Sequence, residues 1–284
     1  MKIVVIGARG MLGRAVMDAC QVVGWEVAGY DLPELDITKM DGREVEEADW
    51  LVNCAAYTNV NKAEEEASKA FEVNAVGAGN LVRMCNQQGW KMLQVSTDYV
   101  FDGKILSGMS YDEDDQTNPV NVYGMSKLMG EYLVQQERPG ALVVRTQSLF
   151  GNYGVNFVEA ILKQLADGKK TLEVVADQFS CPTYVVHLAQ GMVALMENNA
   201  AGVVNCSAEG SCSWYEFARE ILVQSGIDSV IVQAIKTGHY PVKAVRPSNS
   251  ALCKARYEVL TGDEMPHWKD MLREYLSQRK GWMS

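Results

Sequence analysis

Lys2-Ile3-Val4-Val5-Ile6-Gly7-Ala8-Arg9-Gly10-Met11-Leu12-Gly13 decides the fold. After Lys2 the run is β-branched and apolar, as in a short strand buried on both faces of a parallel sheet. Gly7, Gly10 and Gly13 punctuate a turn. Val16, Ala19 and Val23 then repeat at helical spacing as far as Gly24. Strand, glycine-rich turn and helix together form the setting in which a dinucleotide is held. The glycines permit the tight turn, and N–H groups at the helix start approach the pyrophosphate. The spacing is G-x-x-G-x-x-G and not the commoner G-x-G-x-x-G, so position after the first strand carries more weight than the glycines alone.

Working outward, Trp25 to Tyr30 reads as a second strand ending on Asp31. An acidic residue about 20 positions beyond the loop accepts hydrogen bonds from ribose hydroxyls, or simply ends a strand. Arg9 inside the loop favours a 2′-phosphate instead, so the choice between NADH and NADPH stays open. A small helix is expected around Gly42 to Glu47, then a strand over Asp49–Cys54 running into Ala55-Ala56-Tyr57-Thr58. Lys62 to Gln88 reads as one helix with Asn74 in its middle, and Lys91 to Val95 as a strand ending at Ser96-Thr97-Asp98. After a loop with the acidic run Asp112–Asp115, expected to be solvated, come the Tyr123 helix and the strand Ala141–Arg145. Strand and helix alternate throughout, which describes an α/β, Rossmann-like, doubly wound parallel sheet.

Beyond Gly151 the rhythm changes. Helices are expected over Phe157–Ala166, Tyr184–Met196 and roughly Glu264–Leu276, with strands over Leu172–Ala176, Gly202–Cys206 and Val230–Ile235. Ser213-Trp214-Tyr215-Glu216 has the capping-box form. The expected division is a dinucleotide-binding domain over 1–150 and a smaller α/β cap over 151–284, interleaved, with segments within 183–206 returning to the sheet.

Composition narrows the function. The chain has 284 residues, is 48% hydrophobic and 22% charged, and carries a formal charge of −10. No nucleic-acid partner is expected without clustered Lys and Arg. The longest apolar runs are strand-sized, so no membrane span is expected, nor is a signal peptide. Seven scattered cysteines without a Cys-x-x-Cys pair fit reduced cytoplasmic thiols, and three distant histidines lack metal-ligand spacing.

Tyr123-Gly124-Met125-Ser126-Lys127 opens a helical pattern, so Tyr123 and Lys127 share a face at i and i+4. A lysine ammonium near a phenol favours the phenolate, which implies a lowered tyrosine pKa and a proton donor or acceptor near neutral pH. Thr97 stands at the carboxyl end of a central strand, where hydroxyls act on ligands or cap a turn.

These motifs resemble the extended short-chain dehydrogenase/reductase superfamily, and within it the nucleotide-sugar branch of dTDP-4-dehydrorhamnose reductases. The resemblance runs nearly end to end. It rests on Gly7-x-x-Gly10-Met11-Leu12-Gly13, Val52–Thr58, Ser96–Gly103 and Tyr123–Lys127. Later marks are Asn156-Phe157-Val158, Asp177-Gln178-x-x-x-Pro182-Thr183, Ser213–Ala218 and Arg246-Pro247-x-x-Ser250-x-Leu252. It implies reduction of the 4-keto group of a dTDP-linked 6-deoxyhexulose to dTDP-L-rhamnose with NADPH or NADH. By the same resemblance Thr97, Tyr123 and Lys127 are catalytic. Gly7, Arg9, Gly10, Met11, Leu12, Gly13, Asp31, Asp36, Ile37, Ala55, Ala56, Tyr57 and Val95 bind the cofactor, with Tyr123 and Lys127 touching it too. Thr97, Asp98, Asn156 and Arg246 bind the nucleotide-sugar, and a homodimer is the family's habit. Ser148 stands where relatives often have a tryptophan, and Ala15 where some have a Mg²⁺-binding glutamate, so no metal is expected. Two other readings are a reductase or epimerase of another nucleotide-sugar, and a non-catalytic regulatory subunit like the beta subunit of methionine adenosyltransferase.

Overall fold

The strand Lys2–Ile6 (β1) lies inside a six-stranded parallel sheet in the computed structural model, which describes residues 1–39, 45–106, 108–239 and 243–279. Its companions are Glu26–Tyr30 (β2), Trp50–Asn53 (β3), Lys91–Thr97 (β4), Leu142–Thr146 (β5) and, after a strand Thr171–Val175 (β6), Gly202–Asn205 (β7). The order is β7–β5–β4–β3–β1–β2. The chain leaves β1 on one side toward β2 and resumes on the other at β3, so a crevice opens at the carboxyl ends of these strands.

Alternation along β1 divides the core in two. Ile3 and Val5 pack with Val16 of helix Met11–Val22 (α1) and with Leu188 and Met192. Val4 and Ile6 pack with Leu81, Val82 and Cys85 of Ala78–Gln88 (α2) and Val134 of Val122–Glu137 (α3). Successive strand residues point to opposite faces, so one apolar run serves two layers.

The stretch 62–88 is not one helix. It breaks into Val60–Ala63, Ala67–Phe71 and a π-helical turn Glu72–Gly77 before α2 begins. The π turn carries the buried Asn74, whose Oδ1 accepts from Tyr57 N at 2.8 Å while its Nδ2 donates to Ser126 Oγ at 2.9 Å. Such widened turns inside helices are frequent at functional sites. Helix α3 docks on this turn so closely that a Cβ on Gly130 would lie 2.2 Å from Asn74 O.

The second half adds Phe157–Ala166 (α4), Val185–Glu197 (α5), Trp214–Gln224 (α6), Ile231–Ile235 (β8) and Trp268–Gln278 (α7). Strands β6 and β8 pair in parallel outside the main sheet, whereas β7 joins β5 within it and α5 packs on α1. Rings of Phe150, Tyr184, Phe217 and Tyr275 cluster at the junction, with centroids 5.4 to 5.6 Å apart. The Ser213–Glu216 capping box is present in both directions.

Three expectations need correction. In the helix proposed over 42–47, residues 42–44 lie outside the described residues, and 45–47 are irregular. Glu113, read as part of a solvated acidic run, is buried and accepts from Asn205 N at 2.8 Å, closing the end of β7. The last helix starts at Trp268, where His267 caps it, and not at 264. The short helix Ala255–Thr261 had no sequence expectation.

One buried charge pair ties α3 to the sheet. Glu131 takes Arg145 Nε at 3.0 Å and Nη2 at 2.7 Å, and Ser96 Oγ donates to it at 2.5 Å. Removing one partner of such a pair strands the other. Glu131→Ala should therefore cost about 3–5 kcal/mol in urea unfolding. A double change to apolar residues, Glu131→Leu with Arg145→Met, should cost clearly less.

Candidate active site

The carboxyl ends of β1, β3, β4 and β5 open into a cleft of about 860 Å³. Gly7, Gly10, Met11, Leu12 and Gly13 form one wall, with Asp31, Asp36 and Ile37 farther along. Ala55, Ala56, Tyr57 and Val95 line the floor, and Thr97, Asp98, Tyr123 and Lys127 the other end. Arg9, Asn156 and Arg246 are not among the lining residues.

The glycine wall fits a pyrophosphate. Gly7 has φ +77°, and a Cβ on Gly13 would sit 2.2 Å from Gly7 O. Helix α1 starts at Gly10 without a side-chain cap and without an acidic residue in its first turn. Its first amides, with the positive end of the helix dipole, are left for an anion. Asp31 is fixed by Arg9 N at 2.9 Å and Leu32 N at 2.8 Å. The Arg9 guanidinium turns away, pairing with Glu34 and donating to Leu32 O. Asp36 accepts from Thr38 N at 3.0 Å and Thr38 Oγ1 at 2.7 Å, which holds its carboxyl below the usual carboxylate range.

At the other end, Thr97 and Tyr123 stand together. The Thr97 hydroxyl donates to Asp98 Oδ1 at 3.0 Å and faces the Tyr123 phenol. The expected lowering of the Tyr123 pKa does not occur: burial pushes the phenol up to about 12, and Thr97 only partly offsets this. Lys127 exerts no such pull because its Nζ is turned onto Val95 O at 2.6 Å. Lys127 itself is lowered to about 8 by burial, with Glu131 opposing. Asp98 is raised to about 7 by burial, although Ser250 Oγ donates to its Oδ2 at 2.5 Å.

Two expected substrate residues lie outside the cleft lining. Asn156 caps α4, accepting from Glu159 N at 3.1 Å and donating to Gly151 O at 2.8 Å. Arg246 lies near the Tyr99 phenol and donates to Ala244 O, and the Tyr99 ring meets Tyr123 edge-on at 5.9 Å. Lining residues with no sequence expectation as site residues include Thr146, Gln147, Tyr153 and Trp214, while Ser148, where relatives often have a tryptophan, lines the cleft too. Trp214 was read only as part of a cap, and its large ring at a helix start was the available signal. Ser148 adopts φ 48° and shares a 2.7 Å hydrogen bond with Ser180. Asn74 was noticed as a polar residue in a helix, but its bonds to Tyr57 and Ser126 depend on the π turn. Among the described residues no group of three or more His, Cys, Asp or Glu is placed to hold a metal ion, and no helix is long and apolar enough to cross a membrane.

The family model described as "RmlD substrate binding domain" matches residues 1–280. The chain belongs to this family. RmlD-type relatives include the spore coat polysaccharide biosynthesis protein SpsK of Bacillus subtilis (strain 168), 37% identical over 98% of both chains. A dTDP-4-dehydrorhamnose reductase of Clostridium acetobutylicum matches with TM-score 0.91 and 36% identity, covering 98% of this chain and 99% of that one. The dTDP-4-dehydrorhamnose reductase of Bacillus anthracis, solved in complex with NADP, matches with TM-score 0.90 and 31% identity over 98% and 99%. The crevice that the RmlD fold places at the strand ends is thus the cleft described above.

Asp98 sets a pH signature. Its folded pKa lies above the ordinary carboxyl value, so the folded state holds the extra proton between about pH 4 and 7. Its contribution to stability is full below that window and is lost as pH rises through it. Urea midpoints measured from pH 4 to 7 should show Asp98→Asn losing less stability than wild type, by up to about 1.4 kcal/mol per pH unit. Parallel slopes would remove the neutral carboxyl.

Proposed function

We propose that the protein is a dTDP-4-dehydrorhamnose reductase: it reduces the 4-keto group of a dTDP-linked 6-deoxyhexulose to give dTDP-L-rhamnose, using NADPH or NADH. The observation that carries this reading is one cleft with the glycine loop at one end and Thr97, Tyr123 and Lys127 at the other. The named reductases among its relatives support the substrate class.

NAD(P)H, when bound, supplies the hydride. As negative charge develops on the sugar oxygen, Thr97 turns its hydroxyl proton from Asp98 to that oxygen and Tyr123 delivers its proton. With a pKa of about 12 the phenol is protonated at neutral pH. A sugar alkoxide is the stronger base of the two, so the proton passes to it. Donors already in place act mainly in the transition state. Lys127, close to its titration point, holds the nicotinamide-ribose hydroxyls once its Nζ leaves Val95 O. Gly7, Gly10, Met11, Leu12 and Gly13 hold the pyrophosphate, with Asp31, Asp36 and Ile37 at the adenosine end. Ala55, Ala56, Tyr57 and Val95 shape the floor beneath the cofactor.

Asp98 with Thr97 borders the sugar. Asn156 and Arg246 act indirectly, the first by fixing α4 and the second through Tyr99. Residues 1–150 with β7 form the dinucleotide-binding unit, and most of 151–284 forms the substrate-binding cap, which contributes Trp214 to the cleft. Seven free cysteines suit a reducing cytoplasm.

The deciding assay couples dTDP-4-keto-6-deoxyglucose and the matching 3,5-epimerase to NADPH or NADH oxidation. Turnover is the expected result; no oxidation with any dTDP- or UDP-4-keto sugar would sink the reading. Tyr123→Phe should retain cofactor affinity and lose about 10²–10⁴-fold in kcat. Glu34→Gln should free Arg9 and raise the NADPH-to-NADH ratio of kcat/KM several-fold, an effect the size of one exposed ion pair.

A further inference from the structure

Ser96 and Arg145 face one another across β4 and β5, and both bond Glu131 on the α3 side. The next pair in register is Thr97 and Thr146. Strand alternation turns these two to the other side, and both line the cleft. Thr97 already has partners in Asp98 and Tyr99 N and stands beside the phenol. Thr146 is 4% exposed, and its Oγ1 has no hydrogen-bond partner.

That hydroxyl is an exception in its surroundings. Gln147 Oε1 accepts from Cys181 N, its Nε2 donates to Ser207, and Ser148 bonds Ser180. The other buried side-chain atoms without partners among the described residues belong to Asn61, Glu113, Asn205 and Gln224, none of which lines the cleft. An unmade hydrogen bond in a buried place is costly and calls for an explanation.

We propose that the Thr146 hydroxyl anchors the carboxamide of the nicotinamide ring. This rests on the proposed reaction. The sugar oxygen must reach Tyr123 and Thr97, so hydride transfer requires the nicotinamide to reach the ends of β4 and β5. A carboxamide carries both donors and an acceptor, the complement of a hydroxyl that does neither. ADP-ribose, which lacks the ring, gains nothing from Thr146.

The test is calorimetric titration of the full-length protein with NADPH, NADH and ADP-ribose. Thr146→Val keeps the shape and removes the hydroxyl. It should weaken both reduced cofactors about tenfold, the scale of one hydrogen bond, and leave ADP-ribose unchanged. Because the valine removes a desolvated, unpaired hydroxyl, the ligand-free melting temperature should stay level or rise. Thr146→Ser should bind like wild type. Equal weakening of all three ligands, no weakening of any, or a melting temperature that falls with the affinity overturns the assignment. Should the valine variant not fold, Thr146→Ala against Thr146→Ser gives the same contrast. Wild-type protein that binds neither NADPH nor NADH overturns the proposed reaction itself.

Discussion

The Glu131–Arg145 pair with Ser96 is the constraint on which the site depends. A carboxylate and a guanidinium removed from water are expensive to leave apart, and bidentate geometry specifies both distance and angle. Here it joins the third turn of α3 to neighbouring strands. With Glu131 fixed, Lys127 one turn earlier and Tyr123 one turn before that are placed over the strand ends. Asn74 locks the same helix from the opposite side through Ser126, and Gly130 allows the close approach. The side chains proposed as catalytic thus gain their positions largely from contacts made below the cleft, with Thr97 also bonded to Asp98 and Lys127 to Val95 O.

Electrostatics in the cleft follow from scarcity of water. Burial raises the Tyr123 phenol and the Asp98 carboxyl and lowers Lys127, each toward its neutral form. A site that disfavours charge before substrate arrives responds strongly to charge that develops during reaction. Tyr–Lys spacing alone implies a lowered phenol pKa. Enclosure changed the sign of the tyrosine shift, and for a proton donor that sign is the useful one.

Much of the fold was legible because periodicity reports it directly. The apolar run at β1, the glycine turn and the strand-helix alternation all encode local geometry, and the capping box at Ser213 does the same. What was not legible depended on contacts between distant residues. Nothing in 62–88 marks a π turn, because its cause is the docking of Asn74 against Tyr57 and Ser126. Glu113 looked solvated because its partner, Asn205, lies 92 positions away. Asn156 and Arg246 were expected at the substrate through resemblance; that the Asn156 amide caps α4 was not read from the sequence pattern. Trp214 was visible only as a neighbour of a cap, since nothing local reveals which wall a helix start will face.

The sixth strand has a consequence for how the protein is made. Strand β7 enters the main sheet beside β5 only after some fifty residues of cap have been laid down, and β5 is buried along its whole length. A nascent chain that has emerged only through β5 presents that strand as an open apolar edge, the feature that invites pairing with other chains. The six-stranded sheet therefore cannot be completed in the order of synthesis; it waits for residues near 205. Until then that edge is open to pairing with other chains.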